Sequence, residues 1–166
     1  MGIYLNPGNG GFERIIRGKY IDKTGLIDVI NARINTPDSL ICISRPRRFG
    51  KSFAAQMLTA YYDHSCDSHE IFANRKISSL DSYEKHLNKY NVINLDMAQM
   101  IEEASGNDIV TYVKTNLIEE IKTQFPDVTI DISFSKTLVN MVEASGKKVV
   151  MIIDEWDAPI RETPEF

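Results

Sequence analysis

Two short clusters in this sequence have the residue types and spacing for phosphate chemistry. The first is Arg45-Pro46-Arg47-Arg48-Phe49-Gly50-Lys51-Ser52. A loop that ends in Gly-Lys-Ser between a strand and a helix turns backbone N–H groups onto phosphate oxygens, and the helix start adds partial positive charge. The lysine of such a loop reaches the outer phosphates, and the hydroxyl helps to hold Mg2+. Arg48, Phe49, Gly50, Lys51 and Ser52 are therefore the candidate nucleotide-binding residues. The full pattern is GxxxxGK[ST]. Here Arg45 stands at the first glycine and Pro46 offers no N–H, so the chain must enter the loop differently.

The second cluster is Asp154-Glu155, which follows the apolar run Val149-Val150-Met151-Ile152-Ile153. Phosphoryl transfer to water needs a carboxylate for the metal shell, and often a second to orient the water. The carboxyl end of a buried strand is where α/β sheets bind ligands. Asp154 is assigned to the metal with Ser52, and Glu155 to the water. Glu155 and Lys51 are the candidate catalytic residues. Each cluster has a plainer reading, a surface turn for one and a polar strand end for the other. Their occurrence together, in the usual order and each at an expected strand end, favours nucleotide binding. The cations Arg45, Arg47, Arg48 and Lys51 also fit a nucleic-acid backbone. Phe49 is the one aromatic interleaved with them, and such charge runs are usually solvated loop.

Apolar periodicity supplies the elements that must position these residues. Leu40-Ile41-Cys42-Ile43 reads as a short buried strand leading into the loop. From Lys51 onward Phe53, Ala54, Met57, Leu58 and Tyr61 form one helical face. Thr24 is placed to cap a helix bearing Leu26, Ile27, Ile30 and Ile34. Val92 to Leu95 reads as a second strand. Ile109 to Ile121 and Leu138 to Val142 read as helices, the latter ending near Gly146, and Val149 to Ile153 is the strongest strand. Asn6 to Gly11 reads as a turn, so residues 1–11 are taken as a flexible lead-in and 12–166 as the domain. Apolar strands alternating with helices indicate an α/β fold around a mainly parallel sheet.

The 166 residues suit one compact domain. A formal net charge of −4 gives no global attraction to nucleic acid or anionic membrane. No apolar stretch reaches the ~20 residues of a membrane span, and the first residues lack the pattern of a signal peptide, so a cytoplasmic setting is expected. Cys42 and Cys66 match neither a zinc spacing nor a disulfide scaffold. His64, Cys66 and His69 cluster, but a structural metal site needs a fourth ligand.

Three segments together resemble one family: Tyr20-Ile21-Asp22-Lys23-Thr24, the basic loop from Arg45 to Ser52, and Ile153-Asp154-Glu155-Trp156-Asp157-Ala158-Pro159-Ile160. The chain resembles the AAA-ATPase-like proteins of bacteria, which often carry a C-terminal nuclease-like domain of the PD-(D/E)XK type. Arg at the first loop position is usual there, and Trp156 stands where Tyr is more common. The resemblance covers about Phe12 to Ile160. It implies ATP and Mg2+ bound by Lys51, Ser52, Asp154 and Glu155. It also implies a P-loop NTPase-type three-layer sandwich, incomplete at the C-terminus, because a sensor strand and an arginine finger would follow the acidic strand. An open slot in the sheet leads us to expect self-association or partial disorder, with slow hydrolysis. Tyr20 to Thr24 is left between a place near the nucleotide base or sheet edge and a helix start capped by Thr24.

Overall fold

The computed structural model describes residues 1–44 and 50–162. The chain forms two compact units, Gly8–Tyr90 and, discontinuously, Met1–Pro7 with Asn91–Phe166.

Gly8–Tyr90 is helical: α1 (Gly10–Ile16), α2 (Gly25–Asn31), α3 (Lys51–Tyr62), α4 (His69–Phe72), a 3-10 turn (Lys76–Ser79) and α5 (Tyr83–His86). Helix α3 begins behind Gly50 and ends at Asp63, whose backbone turns extended. The Asp63 carboxylate accepts the N–H of Gly8 at 2.6 Å and of Ser65 at 2.7 Å. The core gathers Phe12, Ile27, Met57, Tyr61, Tyr62, Phe72 and Ile77, all fully buried. Phe12 stacks on Phe72 at 5.4 Å, and Tyr61 meets Phe72 and Tyr62 edge-on. The buried phenols are satisfied, Tyr61 donating to the Tyr83 carbonyl and Tyr62 to Asn31, both at 2.7 Å. A buried aromatic with a partnered polar tip adds contact area without a desolvation penalty.

The other unit carries the strands β1 (Asn91–Asp96) and β2 (Val149–Asp154), paired in parallel from Asn91↔Val149 to Asp96↔Asp154. Parallel strands need a long crossover. It is supplied by α6 (Met97–Ala104), α7 (Ile109–Gln124) and α8 (Phe134–Ser145), with α9 (Ala158–Glu162) after β2. Capping carboxylates start two of these helices. Asp96 accepts from Ala98 and Gln99, and Asp108 accepts from Thr111. Gly146, left-handed at φ 63°, stops α8. Leu5, Ile93, Leu95, Met100, Leu117, Ile121 and Met141 build the core of this unit.

The α/β class and the parallel pairing follow the sequence reading, as do both described strands and helices α7 and α8. Three expectations are corrected. Residues 40–43 form no strand, and Leu40 is 96% exposed. A strand needs a ladder partner as well as propensity, and among the described residues of Gly8–Tyr90 only an isolated bridge, Asp63↔Tyr90, is available. Phe53 lies 52% exposed on α3, whose buried side starts at Ala55. The expected lead-in is built into the fold. Leu5 is fully buried and bridges Ile93 in antiparallel fashion, while Asn6 N–H donates to the Val92 carbonyl at 2.7 Å. Gly10 to Ile16 is already helix. No helix among the described residues is long and apolar enough to cross a membrane.

Candidate nucleotide site

Gly50, Lys51 and Ser52 stand together at the start of α3. Gly50 is left-handed at φ 76°, a conformation that glycine adopts without the Cβ penalty of other residues. Its carbonyl accepts the Ala54 N–H at 3.0 Å, so the helix is wound from its first residue. The first turn of α3 holds no acidic side chain. Lys51 is half-buried and the Ser52 side chain is exposed. Beside Ser52, a cleft of about 550 Å³ opens between α1 and α3, with Arg14, Lys19, Phe53 and Gln56 in its lining. Arg48 and Phe49, with Arg45, Pro46 and Arg47, lie outside the described residues.

The segment Tyr20–Thr24 borders this helix start. Asp22 accepts from the Thr24 N–H (2.9 Å), the Thr24 hydroxyl (2.7 Å) and, through its other oxygen, the Lys76 N–H (2.9 Å). The Ile77 N–H donates to the Thr24 hydroxyl at 3.2 Å. Burial raises the Asp22 carboxyl, but these hydrogen bonds and the Arg75 charge outweigh it, and its pKa ends below the ordinary 3.8. Thr24 sits at the N-cap position of α2 yet makes no side-chain cap. The nearby carboxylate is the stronger partner for its hydroxyl.

The acidic pair closes β2. Asp154 accepts the Glu155 N–H on Oδ1 at 3.0 Å. Glu155 is left-handed at φ 48°, uncommon for a residue with a Cβ. Two local bonds accompany that turn. Its carbonyl accepts the Ala158 N–H at 2.9 Å, and its carboxylate accepts from Arg161 Nη2 at 2.8 Å. Arg161 also meets Asp157 through Nε at 3.2 Å. Glu155 therefore stands in a short ion-pair network at the strand's carboxyl end.

Residues 8–165 match the family described as Predicted AAA-ATPase. The chain belongs to this AAA-ATPase-like family. No curated protein and no solved structure matches it. Membership supports a nucleotide-binding, ATPase-like module.

Within this AAA-ATPase-like chain, the structure brings Gly50, Lys51 and Ser52 together in one unit and Asp154 and Glu155 together in the other. Sequence reasoning missed Arg161. The Asp157–Arg161 spacing of four on a helix was the available signal. It left Tyr20–Thr24 between two readings, and the structure engages Asp22 and Thr24 with the backbone of Lys76 and Ile77. Cys66 is partly buried, its thiol contacts the Asp63 carbonyl at 3.5 Å, and burial pushes its pKa up to about 11. His69 pairs instead with Asp67 at 2.7 Å. Among the described residues no group of three or more His, Cys, Asp or Glu could hold a metal ion.

Proposed function

We propose that this AAA-ATPase-like chain binds ATP with Mg2+ and that its acidic pair serves hydrolysis. The observation that carries the reading is the start of α3, where Lys51 and Ser52 follow a left-handed Gly50 with no acid in the first turn. Such a start suits a polyanion. In this proposal Lys51 contacts the outer phosphates, with Arg48, Phe49 and Gly50 lending backbone donors. The donor set fits Mg2+, which prefers hard oxygen ligands. Ser52 offers an exposed hydroxyl and Asp154 a carboxylate with one oxygen engaged by its neighbour. When bound, Mg2+ would offset the charge that gathers on the phosphates during transfer. Glu155 orients the attacking water and takes up its proton. Its pairing with Arg161 at 2.8 Å must rearrange, or share the carboxylate, when water approaches.

A thermal-shift titration tests the binding step, since a ligand that binds only the folded state raises stability by mass action. ATP with Mg2+ is expected to raise the melting temperature, and Lys51→Ala to abolish the shift. A folded sample that shows no shift at ~100 Kd of a typical nucleotide site, where ~2.7 kcal/mol is expected, would sink the proposal. Phosphate release tests the second step. Glu155→Gln should retain the thermal shift while losing turnover.

A further inference from the structure

The geometry points to Arg161 as an autoinhibitory latch on Glu155, one that must release the carboxylate before water is activated. The inference rests on the role proposed for Glu155 above. It starts from the way the chain turns at the end of β2. Glu155 is left-handed at φ 48°, and its carbonyl accepts the N–H of Ala158, the first residue of α9. The Asp157 carbonyl then accepts the N–H groups of Ile160 and Arg161, both at 3.1 Å. This tight turn sets Arg161 within reach of a carboxylate six positions earlier. Its Nη2 donates to Glu155 Oε2 at 2.8 Å, the length of a charge-assisted hydrogen bond.

An oxygen that takes a hydrogen bond from a guanidinium is a poor partner for water, because a neutral donor must displace a charged one. A general base needs its proton within hydrogen-bond reach, so Glu155 acts only once that bond opens or is shared. Asp157 makes the opening feasible. Its Oδ2 lies 3.2 Å from Arg161 Nε, on another edge of the same guanidinium. When Glu155 leaves, Arg161 keeps one carboxylate and no bare cation is created. The negative charge of Asp157 also repels Glu155 and loosens the closed arrangement. The side chains of Arg161 and Glu155 are 34% and 28% exposed, and an ion pair so open to solvent is weak and readily exchanged. The balance between the two carboxylates sets the share of molecules in which Glu155 can act. All of these residues belong to the same unit.

The experiment measures ATP affinity, and turnover at saturating ATP, for the wild-type chain, Arg161→Gln, Asp157→Asn and Glu155→Gln. Melting temperatures without nucleotide are recorded for each, and for the chain carrying both Glu155→Gln and Arg161→Gln. Arg161→Gln is expected to raise kcat about twofold to sixfold, the scale of one partly exposed ion pair, with ATP affinity unchanged. Asp157→Asn should lower kcat, because Arg161 then has no second carboxylate to retain. A supporting strut would instead lose turnover in both variants. The melting shifts of Glu155→Gln and Arg161→Gln should be non-additive, as for two residues in contact. Additive shifts, a kcat in Arg161→Gln at or below wild type, or an Asp157→Asn kcat that does not fall would overturn the latch. Loss of turnover in Glu155→Gln would in those cases leave the role of Glu155 standing. Folded protein that binds ATP without turnover in any variant would overturn the latch and that role together. Folded protein that binds no ATP would overturn the nucleotide reading as well.

Discussion

The ionisation of Asp22 couples to the structure around it. Three hydrogen bonds and a nearby guanidinium favour its charged form, so its folded pKa lies below the unfolded value. The stability it contributes is therefore present above the unfolded pKa and is lost as pH falls through the folded one. Asp22→Asn should lower the urea midpoint at neutral pH, because an amide nitrogen cannot accept the Lys76 N–H. The gap to wild type should narrow as pH falls from about 5 toward about 2. A gap that stays constant over that range would show that the carboxylate's charge contributes nothing. The positions of the two clusters were legible from apolar spacing: Gly50, Lys51 and Ser52 fall at a helix start, and Asp154 and Glu155 at the end of a strand. The tasks of Asp22 and Thr24 were not, because their partners Lys76 and Ile77 lie more than fifty positions away and mark themselves by backbone N–H groups alone.

Among elements, periodicity carried the reading where a helix or strand buries one face of sufficient length. Helix α7, β1 and β2 are examples, and each was visible from its apolar spacing. It failed at Leu40–Ile43, since four apolar residues specify a strand only when a ladder partner exists. It also failed at the first residues, whose Gly, Asn and Pro content concealed a bent segment held by a distant helix. Glu120 on α7 accepts the N–H groups of Ile3 (2.7 Å), Tyr4 (3.1 and 3.2 Å) and Leu5 (2.6 Å). Gln124 donates to the Leu5 carbonyl at 2.7 Å one turn later. A Cβ at Gly2 would collide with Glu120 Oε2 and with the Leu5 carbonyl, so the clamp also requires glycine there. Glu120→Ala is expected to cost about 1.5–3 kcal/mol, the worth of hydrogen bonds to a charged group. The Leu5 amide should lose hydrogen-exchange protection by a matching amount. Unchanged protection at Leu5 would show that the pairing with β1 suffices without the carboxylate.

At the scale of the whole molecule, the two edges of the sheet differ in their pairing among the described residues. The first residues pair with the outer edge of β1, but among the described residues no strand pairs with the second edge of β2. Met151 and Ile153 on that strand are each 45% exposed. Unpaired edges with apolar side chains invite pairing between copies, and charge there suppresses it. We expect concentration-dependent association by light scattering, reduced in Met151→Lys and Ile153→Lys. An unaltered mass across a wide concentration range in the wild type would remove this edge as a contact. The clamp on the first residues has a further consequence, in time instead of space. Ile3 and Glu120 are separated by 117 positions. The chain emerges from the ribosome with Ile3 to Leu5 already made and their acceptor still unsynthesised. All of Gly8–Tyr90 is made within that interval. Ile3 to Leu5 thus stay unclamped until Glu120 has been made, and protection of their amides would report on completion of that unit and not on helix α1, which follows them in sequence.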